Sequence, residues 1–213
     1  LWLAVLFGYL SACRCIWHIW GADLYEEASC WKFKLFYFIR RLAQQKLPVL
    51  WATRGDLTFA KRHLNRTDTQ DRVLYFPTKM GSRAVMQDTR ENQRFTILLG
   101  NSGDPSNRHL AALAQLKQSL AEDVRIIIPM GYPSNNQTYI EQVKRQAVEL
   151  FPKHTVEVLT EKLDFTQYQQ LLSQCDLGYF YFNRQQAIGT ICLLIQQNVP
   201  LALTKENPFC IDM

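Results

Sequence analysis

The stretch "TILLGNSGDPSNRHLAALAQLK", Thr96–Lys117, decides the fold. An apolar strand breaks into Gly, Asn, Ser, Gly, Asp and Pro, and a helix follows. The same unit then repeats. The pattern predicts strands over Phe95–Leu99, Val124–Pro129, Thr155–Leu159, Asp176–Phe182 and Pro200–Thr204. Between them it predicts helices over His109–Leu120, Gln137–Phe151, Phe165–Gln174 and Gly189–Gln197. Five strands separated by helices make a parallel sheet covered on both faces, an α/β architecture. Ligands of such sheets sit at the carboxyl ends of the strands, so the broken stretch after Leu99 reads as a ligand loop.

Upstream, the pattern also alternates. A helix near Leu1–Leu10 is followed by an aromatic strand "CIWHIWG", a helix "ASCWKFKLFYFIRRLAQQK" and a strand "PVLWATRG". A further helix near Asp56–Leu64 and a strand "RVLYFP" lead into the polar, aperiodic "TKMGSRAVMQDTRENQR". This organisation predicts one Rossmann-like domain ending near residue 77, a linker over 78–94 and a second domain over 95–213.

With 213 residues, 47% apolar and 20% charged, the chain has ordinary globular composition, which excludes a disordered or fibrous protein. Its net charge is +5 and its pI about 8.9, but the basic residues are spread out and often sit beside Asp or Glu. Nucleic acid is therefore not the expected partner. Six cysteines without an even framework fit free thiols in a reducing compartment. "CRCIWH", Cys13–His18, offers three soft metal ligands, yet no second Cys/His pair at finger-like spacing follows, and it reads as a buried strand with no metal. "LWLAVLFGYLSAC" is apolar for about a dozen residues, short of the roughly 18 that span a bilayer, and resembles no signal peptide. A chain that opens at Leu1 and stops at "FCIDM" reads as cut from something longer.

Two loops share a pattern: "GDPSN" at Gly103–Asn107 and "GYPSN" at Gly131–Asn135, each after a strand and before a helix. Gly admits close approach of backbone to a ligand, and Ser or Asn caps a helix whose N-terminal amides can accept phosphate. Capped turns without a ligand account for either loop alone; two together favour a shared site. A third loop, "FNRQQAIGT" at Phe182–Thr190, adds Arg184, Gln185, Gln186 and a Gly189–Thr190 helix start. The candidate donor-binding set is Gly100, Asn101, Ser102, Gly103, Asp104, Ser106, Asn107, Met130, Gly131, Tyr132, Asn135, Arg184, Gln185, Gln186, Gly189 and Thr190. Neither a P-loop nor a Gly-x-Gly-x-x-Gly signature occurs among these loops, which weakens the NTPase and dehydrogenase readings.

The residues also carry a family resemblance. "WHIWGADLYE" (17–26), "ATRGDL" (52–57), "LYFPT" (74–78), "GNSGDPSN" (100–107), "PMGYPSNN" (129–136), "CDLGYF" (175–180) and "ENPF" (206–209) run in order along nearly the whole chain. They resemble the TDP-N-acetylfucosamine:lipid II N-acetylfucosaminyltransferases, the 4-alpha-L-fucosyltransferase family of enterobacterial common antigen synthesis. The resemblance implies a GT-B fold of two Rossmann-like domains, the first incomplete here, with 1–77 on the acceptor side and 95–213 on the donor side. It implies transfer of N-acetylfucosamine from a TDP donor to an undecaprenyl-diphosphate-linked disaccharide at the cytoplasmic face of the bacterial inner membrane. Where better-known retaining relatives carry paired Glu, this sequence reads "RQQAIGTICLLIQ".

Such a transfer needs the departing diphosphate stabilised, which helix N-termini can do without metal or cofactor, and a base for the acceptor hydroxyl. No Asp-x-Asp motif occurs. His18 and Asp23, at the end of the aromatic strand, are the base candidates; the structural alternative makes His18 a core residue and Asp23 a cap. Arg54 and Asp56 in "TRGD" read as a surface turn with an N-cap. In the helix from Trp31, the residues Trp31, Leu35, Phe38, Ile39 and Leu42 form an apolar face suited to a core. Phe33, Phe36 and Tyr37 remain, amid Lys32, Lys34, Arg40 and Arg41. Aromatics with basic residues suit an anionic membrane surface, so Lys32, Phe33, Lys34, Tyr37, Arg40 and Arg41 are membrane-contact candidates, against a helix buried on two sides. A reading of another class is a non-catalytic Rossmann-type nucleotide-binding module.

Overall fold

A computed structural model of the chain describes residues 1–67, 70–75, 94–120, 124–152 and 155–213. It divides into two compact units. The first comprises Leu1–Pro77, Asn183–Gln186 and Lys205–Met213; the second comprises Thr78–Phe182 and Ala187–Thr204. Residues 78–93 of the expected linker lie outside the described residues.

The second unit follows the strand-loop-helix alternation of its sequence. Its strands are β4 (Phe95–Leu99), β5 (Val124–Pro129), β6 (Thr155–Leu159), β7 (Leu177–Phe180) and β8 (Leu201–Leu203), and its helices are α4 (His109–Ser119), α5 (Gln137–Leu150), α6 (Phe165–Ser173) and α7 (Ile188–Gln196). All pairings are parallel, in the order β6-β5-β4-β7-β8, with Ile97 opposite Ile126 and Leu98 opposite Gly178. Two-residue alternation assigns the faces. Ile97, Leu99, Ile126 and Ile128 pack with Leu113, Leu116, Ile140 and Val143 of α4 and α5. Leu98 and Ile127, one residue out of step, are equally buried. Helices on both faces explain why these strands are continuous apolar runs. The chain starts at β4, winds out to β6, then returns to the other side of β4 for β7 and β8. The direction therefore reverses between β4 and β7, the switch point beside which sheets of this kind bind their ligands.

The first unit contains α1 (Trp2–Leu6), β1 (Ile16–His18), α2 (Trp31–Gln45), β2 (Val49–Ala52), α3 (Arg54–His63) and β3 (Arg72–Val73), with a parallel sheet β1-β2-β3. Trp17, Ile19, Leu24, Ala43, Leu50, Leu57 and Leu64 form its core, with Trp2 set edge-on to Trp17 at 5.3 Å. Arg66 anchors the start of β2, donating to the carbonyls of Leu47 and Pro48 and to Asp71, which accepts the Leu50 N–H at 2.9 Å.

The first turn of α3 corrects the reading of "TRGD" as a surface turn. Thr53 does cap the helix, accepting the Asp56 N–H at 3.3 Å, but Asp56 is 0% exposed. The cause lies 157 residues along the chain. Asp212 accepts the N–H groups of Arg54 (2.8 Å) and Gly55 (2.9 Å) and the Tyr75 hydroxyl (2.8 Å), so the last described residues cover this helix end. A Cβ on Gly55 would overlap the Pro208 carbonyl.

The α2 helix corrects a second expectation. The stripe suited to a core is turned outward: Trp31 is 68% exposed, and Leu35, Phe38 and Leu42 are exposed too. What α2 buries is Arg40, Ala43 and Gln44. Arg40, expected as a membrane contact, is 3% exposed and cannot be one. Its guanidinium donates to the carbonyls of Leu24 (3.0 Å) and Tyr25 (3.2 Å) and lies over the Tyr37 ring, while Gln44 donates to Asp23 O at 2.9 Å. Hydrogen bonding to an irregular segment outweighs apolar burial on this face. Among the described residues, no helix is long and apolar enough to cross a membrane.

Candidate active site

The loop after β4 turns at Gly100, whose φ of +69° suits glycine. A Cβ there would also lie 2.8 Å from His109 Nε2 and 3.0 Å from Asn107 Oδ1. Asn107, which is buried, organises the rest of the loop: its Oδ1 accepts the Asn101 N–H at 3.1 Å and its Nδ2 donates to Ser102 Oγ (3.0 Å) and Asp104 O (3.2 Å). Asp104 accepts the Ser106 N–H at 2.9 Å and caps the short 3-10 turn Pro105–Asn107. So Ser106 and Asn107 fix the loop and do not cap α4, which starts instead from Arg108 in a left-handed conformation.

The second loop is stitched to the first. Gly103 N–H donates to Tyr132 O at 2.6 Å, and Asn136 Nδ2 donates to Gly103 O at 3.0 Å. A Cβ on Gly103 would lie 2.7 Å from the Met130 carbonyl, and one on Gly131 would overlap the Glu161 backbone. The structure thus brings Gly100, Asn101, Ser102, Gly103, Asp104, Ser106 and Asn107 together with Met130, Gly131 and Tyr132, along one sheet edge. Asn101, Gly131, Tyr132, Glu161, Lys162 and Tyr168 line a cavity of about 190 Å³ there, with Tyr132 66% exposed. Asn101 Oδ1 is buried and has no hydrogen-bond partner.

Tyr168 links this cavity to α7, since its hydroxyl lies 2.9 Å from Thr190 Oγ1; burial raises its phenol to about 12, so it stays protonated. Helix starts differ along this edge. Asp164 and Gln167 close a full capping box on α6, whereas α4, α5 and α7 have no side-chain cap. The Tyr139 hydroxyl occupies the first amides of α4, accepting the N–H of His109 at 3.1 Å. At α7 the start is different in kind: a side chain on Gly189 would meet nothing within 4 Å. The first amides of α7 have no side-chain cap and carry the positive end of the helix dipole.

Arg184, Gln185 and Gln186 belong to the first unit. Arg184 Nε lies 3.4 Å from Glu27 and 3.1 Å from Gln186 Oε1, and the Gln185 carbonyl fills the place a side chain on Gly21 would take. Gly21 opens the turn that holds Asp23. Both Asp23 oxygens are engaged there, one by the Trp17 indole N–H at 2.6 Å and the other by the Trp20 N–H at 2.9 Å. His18 is half-buried at the end of β1, its ring 6.0 Å from that of Trp20.

Sequence reasoning missed Arg108, His109, Tyr139 and Tyr168. Arg108 lies over the Tyr181 ring at 5.1 Å, and burial lowers the His109 imidazole to about 4, keeping it neutral. Helical spacing gave no signal for the tyrosines, because each reaches the site from the flank of a neighbouring helix. Among the described residues, no three His, Cys, Asp or Glu side chains are grouped to hold a metal ion.

Comparison with solved structures agrees with the fold. Anabaena HepE, solved with UDP-glucose, matches with a TM-score of 0.67 at 15% identity, covering 100% of this chain and 60% of that one. The trehalose-phosphate synthase of Burkholderia vietnamiensis matches with a TM-score of 0.66 at 12% identity, over 93% of this chain and 53% of that one. The Escherichia coli enzyme bound with UDP-2-fluoro glucose gives 0.63 at 11%, over 96% and 56%. At such identities the likeness is one of fold, the GT-B fold with its parallel α/β domains, and the chain spans 53–60% of the length of these relatives. A family profile described as "4-alpha-L-fucosyltransferase glycosyl transferase group 56" matches residues 1–213, and to that family of glycosyltransferases the chain belongs.

Proposed function

We propose that the chain is the donor-binding part, with some of the acceptor side, of an enzyme that transfers N-acetylfucosamine from TDP to an undecaprenyl-diphosphate-linked disaccharide in enterobacterial common antigen synthesis. The observation that carries the reading, beyond family membership, is the contrast along one sheet edge. The α6 start is sealed by its own side chains, whereas the α7 start is uncapped and open at Gly189, with Thr190 tied to a tyrosine of the neighbouring cavity.

In this reading the thymidine lies in the cavity of Asn101, Tyr132 and Tyr168, and the diphosphate faces the α7 amides. The acceptor hydroxyl oxygen bonds to C1 of the sugar as the bond from C1 to the β-phosphate oxygen breaks. The leaving TDP takes the electron pair, and the amides hold its growing charge without a metal. A base takes the hydroxyl proton. Of the two candidates, His18 suits this better, because Asp23 spends both oxygens on its own turn.

The test is transfer of labelled sugar by the complete enzyme in EDTA. Gly189→Val, which meets no neighbour, should fold normally and weaken TDP binding at least tenfold; Gly103→Val, which strikes the Met130 carbonyl, is a poorer probe. His18→Gln should lower turnover by about 10²–10⁴ while TDP affinity holds. TDP binding without any transfer would favour the non-catalytic module, and unchanged TDP binding in Gly189→Val would remove the α7 site.

We further propose that the protein attaches peripherally to the cytoplasmic face of the bacterial inner membrane through the outward face of α2, where Trp31, Phe33 and Phe36 lie among Lys32, Lys34 and Arg41. Supporting this is the sequence of the helix itself, which holds no acidic residue between Trp31 and Lys46.

A further inference from the structure

The first residue of α4 holds an arrangement that packing alone does not require. His109 is completely buried, and its ring is fixed by Tyr139 of α5, whose hydroxyl lies 3.3 Å from Nδ1. That hydroxyl already accepts the backbone N–H groups of His109 and Leu110, which use its lone pairs. Its one proton is left for Nδ1, and this sets the tautomer: Nδ1 accepts and Nε2 carries the hydrogen. Burial keeps the ring neutral, so the tautomer persists across the physiological range.

The Nε2–H group is buried and has no hydrogen-bond partner. It faces Gly100, where even a Cβ would lie 2.8 Å away. Leaving such a donor unpaired is destabilising, and a phenylalanine would fill the same space without that cost. One residue beyond Gly100, Asn101 Oδ1 is likewise buried and unpaired, in the wall of the cavity. Two unpaired polar groups thus belong to one loop, an N–H that faces Gly100 and a carbonyl oxygen on the residue that follows it.

We propose that His109 is a donor-recognition residue whose Nε2–H is reserved for a phosphate oxygen of the bound nucleoside diphosphate, reached when Gly100 rotates aside. The proposal rests on the donor-site reading of these loops. Gly100 is the movable cover, because glycine leaves φ of +69° in either direction at little cost. Tyr139 is the positioning residue, which keeps the hydrogen on the nitrogen that faces the loop.

A purely structural histidine and a reserved one predict opposite results. In the complete enzyme, His109→Phe keeps a ring and removes the unpaired N–H, so thermal stability should hold or rise while affinity for TDP falls about 10- to 100-fold. His109→Gln places an amide N–H near the position of Nε2 and should bind TDP within about threefold of the parent. Nitrogen-15 spectra of the parent protein should show the Nε2–H tautomer, with that proton moving downfield when TDP is added. If the parent binds TDP and His109→Phe binds it equally well, or the Nε2 proton does not respond, the proposal falls and the donor site stands. If the parent binds no TDP, both fall. A His109→Phe protein that melts earlier and binds TDP normally assigns the histidine to packing alone.

Discussion

Asp56 shows what burial does to a single carboxyl. Burial pushes its pKa up to about 7, the nearby Asp212 and Asp23 push the same way, and the hydrogen bonds from Tyr25 (2.8 Å) and Thr53 only partly oppose them. Its second oxygen is buried without a partner. The folded chain therefore holds a proton that the unfolded chain releases near pH 4, and this fixes the sign: stability declines as pH rises from about 4 through about 7 and levels off above. The total is on the order of 4 kcal/mol for a shift of this size. Asp56→Asn keeps an oxygen for Tyr25 and cannot ionise. Urea denaturation of the parent at pH 5 and pH 8 should show this loss in the first unit, and the variant should show little of it. An equal pH slope in both proteins would mean that Asp56 stays charged in the fold. None of this was legible in "TRGD", where an Asp after Thr-Arg-Gly reads as an exposed cap; the burying residues come from the far end of the chain.

At the scale of elements, legibility divides by environment. The strands β4, β5 and β6 match their predicted bounds, because a buried parallel strand is a short apolar run closed by Gly or Pro, and both signals are local. Helix α2, predicted over residues 28–46, runs from Trp31 to Gln45 and does not bury its predicted face. Apolar periodicity locates a helix; it does not register that Arg40 and Gln44 find carbonyls at Leu24, Tyr25 and Asp23. The loops read as sites held their residues together at β4 and β5, while the tyrosines that complete them arrive from other helices. The outward face of α2 yields a prediction of its own. Binding of the complete enzyme to anionic vesicles should fall with added salt, and a variant with Lys32, Lys34 and Arg41 as Gln should lose most of it, at roughly 1 kcal/mol per charge near the surface. Arg40 is left in place, since its guanidinium holds the fold. Equal co-sedimentation of the two proteins would remove α2 from the membrane contact.

For the whole molecule, the two units differ in how the chain composes them. The second draws its core from residues close in sequence. The first takes residues 205–213 from beyond the other unit's last strand, and among them Asp212 supplies what α3 needs at its start. Asp212→Ala leaves two helix amides and the Tyr75 hydroxyl without that acceptor and should cost about 1–3 kcal/mol. Hydrogen exchange should quicken through Arg54–His63 while the amides of β4 and β5 keep their protection; unchanged exchange in α3 would show that water replaces the carboxylate.

The same carboxylate sets an order of events during synthesis. A ribosome delivers residues 54 and 55 long before residue 212, so α3 emerges with its leading amides open to water. The five described strands of the later sheet have all emerged once Leu203 is out, nine residues before Asp212. The start of α3 is thus sealed after strands that are translated well behind it, and a nascent chain paused in that interval would carry the strands β4 to β8 and one unsealed helix.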